Sequence, residues 1–524
     1  MNILRKCCWK IFLFYVIGSL SFSASAADPI TVIQYPLTMR PAITKAGESF
    51  TIVCKADRSQ GGWKAQLFTE FNRVDLVIEP RFDEQSGTWQ LKAAVPANTP
   101  YELYDLAVQA STVRDEVAHA VKVVKAFRDS YYFVHLPDLH LPSVAWIGYY
   151  DDDNTVTELK RILRELAIID PEFVLQTGDV VDNGRSEEQY IFAQEFLSTL
   201  AVPLFLTGGN HDLWFDGHDN WYTYFSPVMD YGFSYGPDFF YGMEMYDIPT
   251  VTFTAGQMRW LQDGLKQSQA RGDRLRTLFY HYDESRQIGA DFVQAYGLDL
   301  ILYGHTHING VQSFNNGRTL NLNTSFTMND NGEYRLIKIS GNNISEYPVL
   351  RYKNLNVRYS PANDGTNGQV TATIDNDNPV PFENGLVKFR VRKDPAGYRV
   401  SGGVVDQVIS AAQQDIYYVR VNIPARSKAE VTILSENPSS NRPPLISSFS
   451  PEQHSIIMAG IPQRYTVDVA NEENDPISFK WFFDGKEIPN AQSRVLDYTP
   501  DRNLVGNAEL VVRASDGQFA DEIT

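Results

Sequence analysis

Hydrophobic and polar positions divide the chain into a central segment of mixed periodicity and flanking segments of alternating periodicity. Between residues 129 and 350, short apolar runs typical of buried strands are separated by stretches with apolar residues at helical spacing. The predicted strands are Tyr131–Leu136, Phe173–Gln176, Pro203–Leu206, Thr277–Tyr280 and Leu298–Tyr303. The predicted helices are Thr155–Leu166, Ser186–Leu200 and Gly256–Leu265. This pattern predicts an α/β or α+β layered domain, a β-sandwich flanked by helices, over residues 129–350.

Alternating apolar and polar residues predict all-β units on both sides of that domain. Residues 27–128 contain runs such as Phe50–Cys54, separated by turn-forming clusters such as Ser59–Gly62. Residues 351–440 show the same pattern of short strands and polar turns. We therefore predict an N-terminal β-sandwich and a further β-rich domain after the central one.

The last segment, residues 441–524, follows a linker marked by Pro443-Pro444. With its Asn474–Trp481 and Ala514–Gly517 motifs it resembles an immunoglobulin-like or polycystic-kidney-disease-type module. The resemblance implies a β-sandwich, and the sequence is compatible with a truncated one. The acidic cluster Asn471–Asp475 is open to two interpretations, a calcium site or an ordinary turn, and the turn is favoured.

The first 26 residues have the pattern of a secretory signal peptide. Three basic residues, Arg5, Lys6 and Lys10, accompany an apolar stretch from Ile11 to Leu20, and Ala24-Ser25-Ala26 matches a small-residue cleavage site. The apolar stretch is short for a membrane span, so export is favoured over a membrane anchor. We expect a bacterial protein in the periplasm, at the cell surface or in the medium, without a transmembrane segment once the signal is cleaved.

Composition and net charge narrow the classes of molecule that the protein is expected to bind. The chain has 524 residues, with 43% hydrophobic and 21% charged residues, which are ordinary values for globular domains. Removing the three basic residues of the leader changes the net charge from −18 to −21, which disfavours a nucleic-acid polymer as a partner. A small phosphorylated substrate stays compatible, because bound cations can reverse the local field. Only Cys54 lies beyond the leader, and its alternation with apolar residues predicts a core position.

Side chains that can bind metal ions follow every predicted strand of the central domain. In chain order they are Asp138 and His140, Asp179, Asn210 with His211 and Asp212, His281, and His305 with His307. A single histidine after a strand is more often a hydrogen-bonded structural residue than a ligand. Five of the nine histidines fall at these strand ends, however, which favours one shared site. Carboxylate, amide and imidazole donors without thiolates suit Mn, Fe or Zn.

The order of these motifs resembles that of the calcineurin-like metallophosphoesterase superfamily, across about residues 130–330. The matching motifs include Thr177–Asp182, Gly209–Asp212 and Tyr303–His307. The resemblance implies two divalent or trivalent metal ions. It places one metal on Asp138, His140 and His307, the other on Asn210, His281 and His305, and Asp179 between the two.

The resemblance also implies a reaction. A hydroxide that bridges the metals would attack phosphorus in line, while the metals neutralise charge on the phosphoryl oxygens. His211 would protonate the leaving oxygen or stabilise the transition state, and Asp212 would fix the orientation of His211.

Two departures from the motifs of known subgroups narrow the position of this sequence within the superfamily. Asp182 stands where purple acid phosphatases carry a tyrosine, and Asn183-Gly184 follows it where protein phosphatases carry Arg-Gly. The motif set is nearer to bacterial class III cyclic-nucleotide phosphodiesterases and their secreted relatives. The fourth motif, His281-Tyr282-Asp283, lacks the proline that usually follows this histidine.

The segment between Asp212 and Gly256 is dense in aromatic residues. Two interpretations stay open: these residues roof the site, or they pack a core of their own. His218, in this segment, is a weaker candidate for substrate contact. The remaining histidines, His119, His135 and His454, are predicted to be structural.

The sequence thus predicts an exported phosphoesterase that depends on two metal ions and hydrolyses a phosphomonoester or phosphodiester. The flanking β-sandwich units are expected to be available for a surface partner. The alternative is a cell-surface binding or adhesion protein whose metallophosphoesterase-like domain is not catalytic. The complete set of ligand-type residues favours the enzyme.

Overall fold

The computed structural model describes eleven stretches of the chain. They are residues 29–141, 152–214, 217–244, 252–282, 287–327, 332–351, 354–437, 443–451, 460–471, 475–501 and 508–524. The predicted leader, His454 and most of the acidic cluster at 471–475 lie outside the described residues. Within these stretches no helix is both long and apolar enough to span a bilayer.

The N-terminal unit is one eight-stranded sheet that turns back on itself at a long strand. Its strands are β1 Ile33–Tyr35, β2 Ala42–Lys45, β3 Ser49–Cys54, β4 Lys64–Phe68, β5 Arg73–Asp83, β6 Thr88–Ala94, β7 Leu103–Gln109 and β8 Arg114–Val124. The first residues of β5 pair with β4 and its later residues pair with β6. The strand order is β1-β3-β6-β5-β4-β7-β8-β2, and Cys54 is fully buried in the enclosed core.

The central unit contains six α-helices and twelve strands among the described residues. The first half comprises β9 Ser130–His135, α1 Asp152–Ile169, β10 Val174–Thr177, α2 Glu187–Leu197, β11 Leu204–Thr207, α3 Asn210–Leu213, α4 His218–Tyr224, β12 Tyr231–Tyr235 and β13 Asp238–Gly242. The second half comprises α5 Ala255–Arg271, β14 Arg276–Phe279, α6 Ala290–Tyr296, β15 Leu300–Tyr303, β16 Gly310–Phe314, β17 Thr319–Asn323, β18 Glu333–Ser340, β19 Asn343–Glu346 and β20 Val349–Arg351.

These strands form two sheets that pack face to face. Sheet one has the order β11-β10-β9-β18-β19, with β20 also on β18, and sheet two has the order β12-β13-β14-β15-β17-β16. Neighbouring side chains of one strand enter different cores because they point to opposite faces. Phe133 of β9 packs between the sheets, whereas Val134 packs against the helical layer that contains α1 and α2. On sheet two, Leu302 faces the other sheet and Ile301 faces α5 and α6.

The predicted layered sandwich flanked by helices is therefore present. All five predicted strands and all three predicted helices occur, with ends shifted by a few residues. The helix predicted to end at Leu265 continues to Arg271, where Gly272 adopts φ 77° and ends it. The last turns of α5 are polar, so the apolar periodicity did not mark them.

The chain after the central unit is β-rich. The next strands are β21 Leu355–Ser360, β22 Gln369–Asn376, β23 Phe382–Arg392, β24 Tyr398–Ser401, β25 Val404–Ser410, β26 Gln414–Ile423 and β27 Ser427–Ser435. They form the sheets β21-β22-β27-β24 and β23-β26-β25. Their buried residues, Val387 and Val419 among them, join the same core as Leu159 and Ile162 of α1. This unit therefore packs directly on the helical layer of sheet one.

The last strands have a core of their own around Trp481. They are β28 Leu445–Ser450, β29 Gln463–Ala470, β30 Ser478–Phe483, β31 Lys486–Glu487, β32 Val495–Tyr498, β33 Leu510–Ser515 and β34 Ala520–Ile523, in the sheets β28-β29-β32 and β31-β30-β33-β34. The structure thus has β-rich units on both sides of the central layers. Their immunoglobulin-like identity and the predicted domain boundaries stay predictions.

Candidate metal centre

The strand-end residues singled out above come together at one edge of the two sheets. Three groups of donors have atoms within 4.8 Å of one another. The groups are Asp138 with His140 and His307, His140 with Asp179 and His211, and Asp179 with His281 and His305. Asn210 joins them, because its Oδ1 lies 3.1 Å from His281 Nε2. The structure therefore brings together all seven predicted ligands and His211.

The loops after β9 and β10 run side by side and extend the parallel pairing of these strands. Asp138 N donates to Gly178 O at 3.2 Å, and His140 N donates to Asp179 O at 2.9 Å. Because parallel strands end at the same edge of a sheet, this pairing delivers Asp138, His140 and Asp179 to one place.

Five of the candidate ligands have left-handed backbone conformations. Their φ values are 52° for Asp138, 46° for His140, 54° for Asp179, 65° for His305 and 56° for His307. Asp and His tolerate this region better than most residues, but it still costs energy in a non-glycine residue. Five of the thirteen described non-glycine residues with positive φ are thus candidate ligands, as is common where side chains must point in a fixed direction.

Two glycines allow carboxylates to approach the backbone closely. A Cβ on Gly209 would lie 2.3 Å from Asp179 Oδ1, and a Cβ on Gly304 would lie 2.3 Å from Asp138 Oδ2. Only a residue without a side chain fits at either position. The glycines in the G-N-H-D and G-H-x-H motifs thus make room for the carboxylates.

Residues 131–309 match the model of the calcineurin-like phosphoesterase family. This segment is a calcineurin-like phosphoesterase domain. The resemblance inferred from the motifs is confirmed for this part of the chain.

Individual relatives are similar over shorter stretches. A probable cyclic nucleotide phosphodiesterase of Ruthia magnifica subsp. Calyptogena magnifica is 32% identical over 84 residues, 16% of this chain and 34% of that protein. A probable glycerophosphodiester phosphodiesterase of Arcobacter nitrofigilis is 31% identical over 85 residues, 15% of this chain and 29% of that protein. The chain thus spans about a third of the length of the curated relatives it matches. A purple acid phosphatase from yellow lupin (Lupinus luteus) seeds superposes with a TM-score of 0.39 at 12% identity, covering 67% of this chain and 72% of that one.

The orientation of His281 in the phosphoesterase domain shows that its donors fit a cation. Its Nδ1 lies 2.8 Å from the carbonyl oxygen of Thr177, so Nδ1 carries a hydrogen and Nε2 has the lone pair in the neutral ring. Nε2 faces Asp179 Oδ2 and Asn210 Oδ1, each at 3.1 Å. Three electron-rich atoms converge only around a positive charge, which a proton or a metal ion can supply. Asp179 belongs to two of the three donor groups, as a ligand shared by two metal ions would.

The pKa values of the site residues are shifted because these carboxylates and imidazoles lie so close together. Burial opposes the ionisation of Asp179, but His281, His140 and His211 together hold its pKa below the usual range. Burial likewise opposes the protonation of His281, yet the charge of Asp179 raises the pKa of His281 to about 9. Burial lowers the pKa of His211. The centre of the phosphoesterase domain is thus built to hold positive charge.

The predicted relation between Asp212 and His211 is not what the structure shows. The carboxylate of Asp212 accepts hydrogen bonds from Val181 N and Gly209 N, both at 2.9 Å, and so holds the two loops together. His211 is oriented instead by Asp182, whose carbonyl oxygen lies 2.7 Å from His211 Nδ1. Burial and the charge of Asp179 raise the pKa of Asp212 to about 7. Asp212 therefore fixes the loop rather than the imidazole.

From the sequence, Asp182 serves only to distinguish subgroups of the superfamily. Its position beside two histidines of the site is not predicted. Asp182 is buried, and its Oδ1 lies 3.4 Å from His140 Nδ1 and 3.6 Å from His211 Nδ1. The available signal was its place three residues after Asp179 in the same strand-end motif.

Aromatic rings pack on three of the site histidines. Trp214 lies 4.0 Å from His211 between ring centroids, Phe326 stacks on His307 at 4.2 Å, and Tyr282 lies 4.4 Å from His305. Most described aromatic residues of the 212–256 segment are part of the packing instead. The buried ones are Trp221, Tyr224, Phe225, Tyr231, Tyr235, Phe240, Tyr241 and Phe253.

The remaining described histidines, His218, His119 and His135, lie outside the three donor groups. His218 begins α4, with its ring 6.4 Å from that of Tyr222. His119 lies in β8, and its backbone N–H donates to Asp105 Oδ1 at 2.8 Å. His135 is fully buried beneath the centre, with both ring nitrogens 2.8 Å from threonine hydroxyl oxygens.

Proposed function

We propose that the protein hydrolyses a small phosphomonoester or phosphodiester with two metal ions held at this centre. The observation that carries the proposal is the position of Asp179 between two groups of donors. A shared carboxylate between two mixed histidine and oxygen donor sets is the arrangement of two-metal phosphoesterases. The phosphodiesterase names of the two curated relatives support the same reaction class.

The proposed ligand assignment is the one that the resemblance to the calcineurin-like superfamily implies, and the distances between the donors are compatible with it. One ion would be held by Asp138, His140 and His307, the other by Asn210, His281 and His305, and Asp179 would contact both. Nitrogen and oxygen donors without thiolates suit Mn, Fe or Zn. Bound metal ions would lower the pKa of water to near neutrality and offset charge on the phosphoryl oxygens.

His211 is proposed to assist departure of the leaving group. Its side chain is 14% exposed, so a substrate can reach it. Since Nδ1 donates to the carbonyl of Asp182, Nε2 is the nitrogen available to the substrate. A protonated Nε2 would donate to the leaving oxygen, and Asp182 keeps the ring in the required direction.

Export and a role for the flanking units belong to the same proposal. The signal-like pattern of residues 1–26 supports transport to the periplasm, the cell surface or the medium. The β-rich units before and after the phosphoesterase domain would then bind a surface partner, while the acidic net charge of −18 disfavours nucleic-acid polymers.

The test is hydrolysis of p-nitrophenyl phosphate and bis(p-nitrophenyl) phosphate by the full chain. We expect activity that chelation abolishes and Mn²⁺ restores. Asp179→Asn and His307→Ala should each lose most of it, whereas Asp75→Asn, on an exposed strand of the N-terminal unit, should not. Activity like that of the wild type in the Asp179→Asn, His307→Ala double variant would contradict the assigned centre. Substoichiometric metal, together with no turnover on a broad phosphoester panel, would favour the non-catalytic binding protein.

A further inference from the structure

The candidate ligands come from two different sheets. Sheet one supplies Asp138, His140, Asp179 and Asn210, and sheet two supplies His281, His305 and His307. Two of the three donor groups combine residues of both sheets within 4.8 Å. The relative position of the sheets at this edge therefore decides the spacing of the donors.

The segment Asn323–Ser325, at the end of β17, holds the loop that carries His305 and His307. Asn323 Nδ2 donates to Thr306 Oγ1, and Ser325 Oγ donates to His307 O at 2.9 Å. Between them, Thr324 N donates to the carbonyl of the last residue of β15 at 3.3 Å. Three consecutive residues thus hold the G-H-x-H loop in place by hydrogen bonds.

The side chain of Thr324 connects this segment to sheet one. Its Oγ1 lies 2.8 Å from Nδ1 of His135 in β9 and accepts from Nε of Arg335 in β18 at 3.0 Å. Arg335 Nη2 also donates to Asn323 O at 2.7 Å. Thr324 and His135 are fully buried and Arg335 is 2% exposed, so water does not compete for these bonds.

The other nitrogen of His135 continues the connection to a candidate ligand. His135 Nε2 lies 2.8 Å from Oγ1 of Thr177, whose carbonyl orients His281. Burial and the charge of Arg335 lower the pKa of His135 well below its usual range, so the ring is neutral. Thr324 Oγ1 accepts from Arg335 and has a proton that it can donate to His135 Nδ1; in that tautomer Nε2–H donates to Thr177 Oγ1.

We propose that His135, Thr177, Thr324 and Arg335 form an inter-sheet bridge that sets the spacing of the metal-binding residues. These are positioning residues, since they act on the metal through Thr177 and the segment Asn323–Ser325. The inference rests on the proposed function. It gives a positioning role to His135, a buried histidine that has no role in the predicted reaction.

The test compares three valine substitutions of buried threonines in the full chain. Thr324→Val and Thr177→Val remove hydroxyls of the bridge. Thr207→Val is the matched control, because Thr207 is fully buried, pairs in register with Thr177, and its Oγ1 has no hydrogen-bond partner among the described residues. Mn²⁺ binding is measured by isothermal titration calorimetry, and the melting temperature of the metal-free chain is measured in parallel.

We expect Thr324→Val to weaken Mn²⁺ binding by roughly tenfold or more, the range found for groups that orient metal ligands. Thr177→Val should weaken it in the same direction, Thr207→Val should change it by less than about twofold, and Thr324→Ser should restore it because the hydroxyl is retained. Normal binding by Thr324→Val, or an equal loss in Thr207→Val, overturns the inference. So does a loss that follows the melting temperature across all variants.

The wild-type chain separates this inference from the proposed function. If it binds two Mn²⁺ ions and hydrolyses phosphoesters while Thr324→Val binds normally, only the inter-sheet bridge is wrong. If it binds none of Mn²⁺, Fe²⁺ and Zn²⁺, both the proposed function and the bridge are wrong.

Discussion

His211 and Asp182 are joined by a hydrogen bond of 2.7 Å from the imidazole Nδ1 to the backbone carbonyl. The carboxylate of the same aspartate lies 3.4 Å from Nδ1 of His140. Asp182 thus faces both the proposed acid and a proposed ligand. Its carbonyl bonds to His211, and its carboxylate lies near His140 and, at 3.6 Å, near His211 as well. Replacing the side chain leaves the backbone carbonyl in place, so the orientation of His211 can be separated from the charge of Asp182.

Asp182→Asn should affect metal binding more than the chemical step. The substitution removes the charge beside His140 and His211 and leaves the carbonyl that orients His211. We expect Mn²⁺ affinity to fall by roughly tenfold, with kcat at saturating Mn²⁺ changed by less. Metal titration and steady-state kinetics on bis(p-nitrophenyl) phosphate measure the two effects. Asp219→Asn, an exposed position in α4, is the control, and a large fall in kcat at saturating metal would contradict this division.

Gly304→Ala should disrupt the centre without unfolding the sheets. Its Cβ would lie 2.3 Å from Asp138 Oδ2 and 2.7 Å from Pro137 Cβ, so the carboxylate must move. A displacement of about 1 Å costs roughly 10²-fold in rate, and we expect a loss of that order together with weaker metal binding. Gly289→Ala is the matched control, because a Cβ there meets nothing within 4 Å. Equal activity in the two variants would show that Asp138 is not held against Gly304.

The layered fold and the location of the candidate site could be predicted from the sequence, for a physical reason. A continuous apolar run, such as Phe133 beside Val134, marks a strand buried on both faces, and polar residues after such strands must lie at the sheet edge. Side-chain direction was not accessible in the same way. Asp212 bonds to Val181 and Gly209 because of the local backbone path, which no periodicity encodes.

Contacts that join distant parts of the chain were also beyond the sequence. His135 and Thr324 are 189 residues apart, and only the packing of the two sheets brings them to 2.8 Å. The sequence did predict His135 as structural and Cys54 as a core residue, because both lie in apolar strands. The metal-binding roles of the strand-end residues stay predictions until binding is measured.

Cys54 should be unreactive while the protein is folded. The residue is fully buried, and burial, with the charge of Asp115, raises the pKa of its thiol to about 12. At pH 8 the thiolate would then be only about one molecule in 10⁴, against roughly a quarter for an ordinary thiol. In a Cys7→Ser, Cys8→Ser chain, a disulfide reagent should therefore react only after urea is added. Complete labelling of the native protein within minutes would show that the N-terminal core opens readily.

Asp170→Asn should weaken the junction between three units, and the effect should depend on pH. Asp170, directly after α1, binds Arg420 of β26 at 2.5 Å. Burial opposes its ionisation, but Lys122 of β8 and Arg420 hold the pKa of Asp170 below the usual range. A carboxyl whose pKa is lower in the folded state stabilises the fold above its unfolded pKa of about 3.9, and this contribution is lost as the pH falls through the folded pKa.

We therefore expect Asp170→Asn to lower the free energy of unfolding by about 1–3 kcal/mol at pH 7. The substitution removes one of the two carboxylates that pair with the partly buried Arg420, the other being Asp406. The difference from the wild type should shrink as the pH is lowered below about 4. Melting temperatures of both chains between pH 7 and pH 3 measure this. Asp375→Asn is the control, because its partner Lys428 is 70% exposed and such a pair contributes at most about 1 kcal/mol. A difference that is the same at pH 7 and pH 3 would show that Asp170 does not stabilise the junction through its charge.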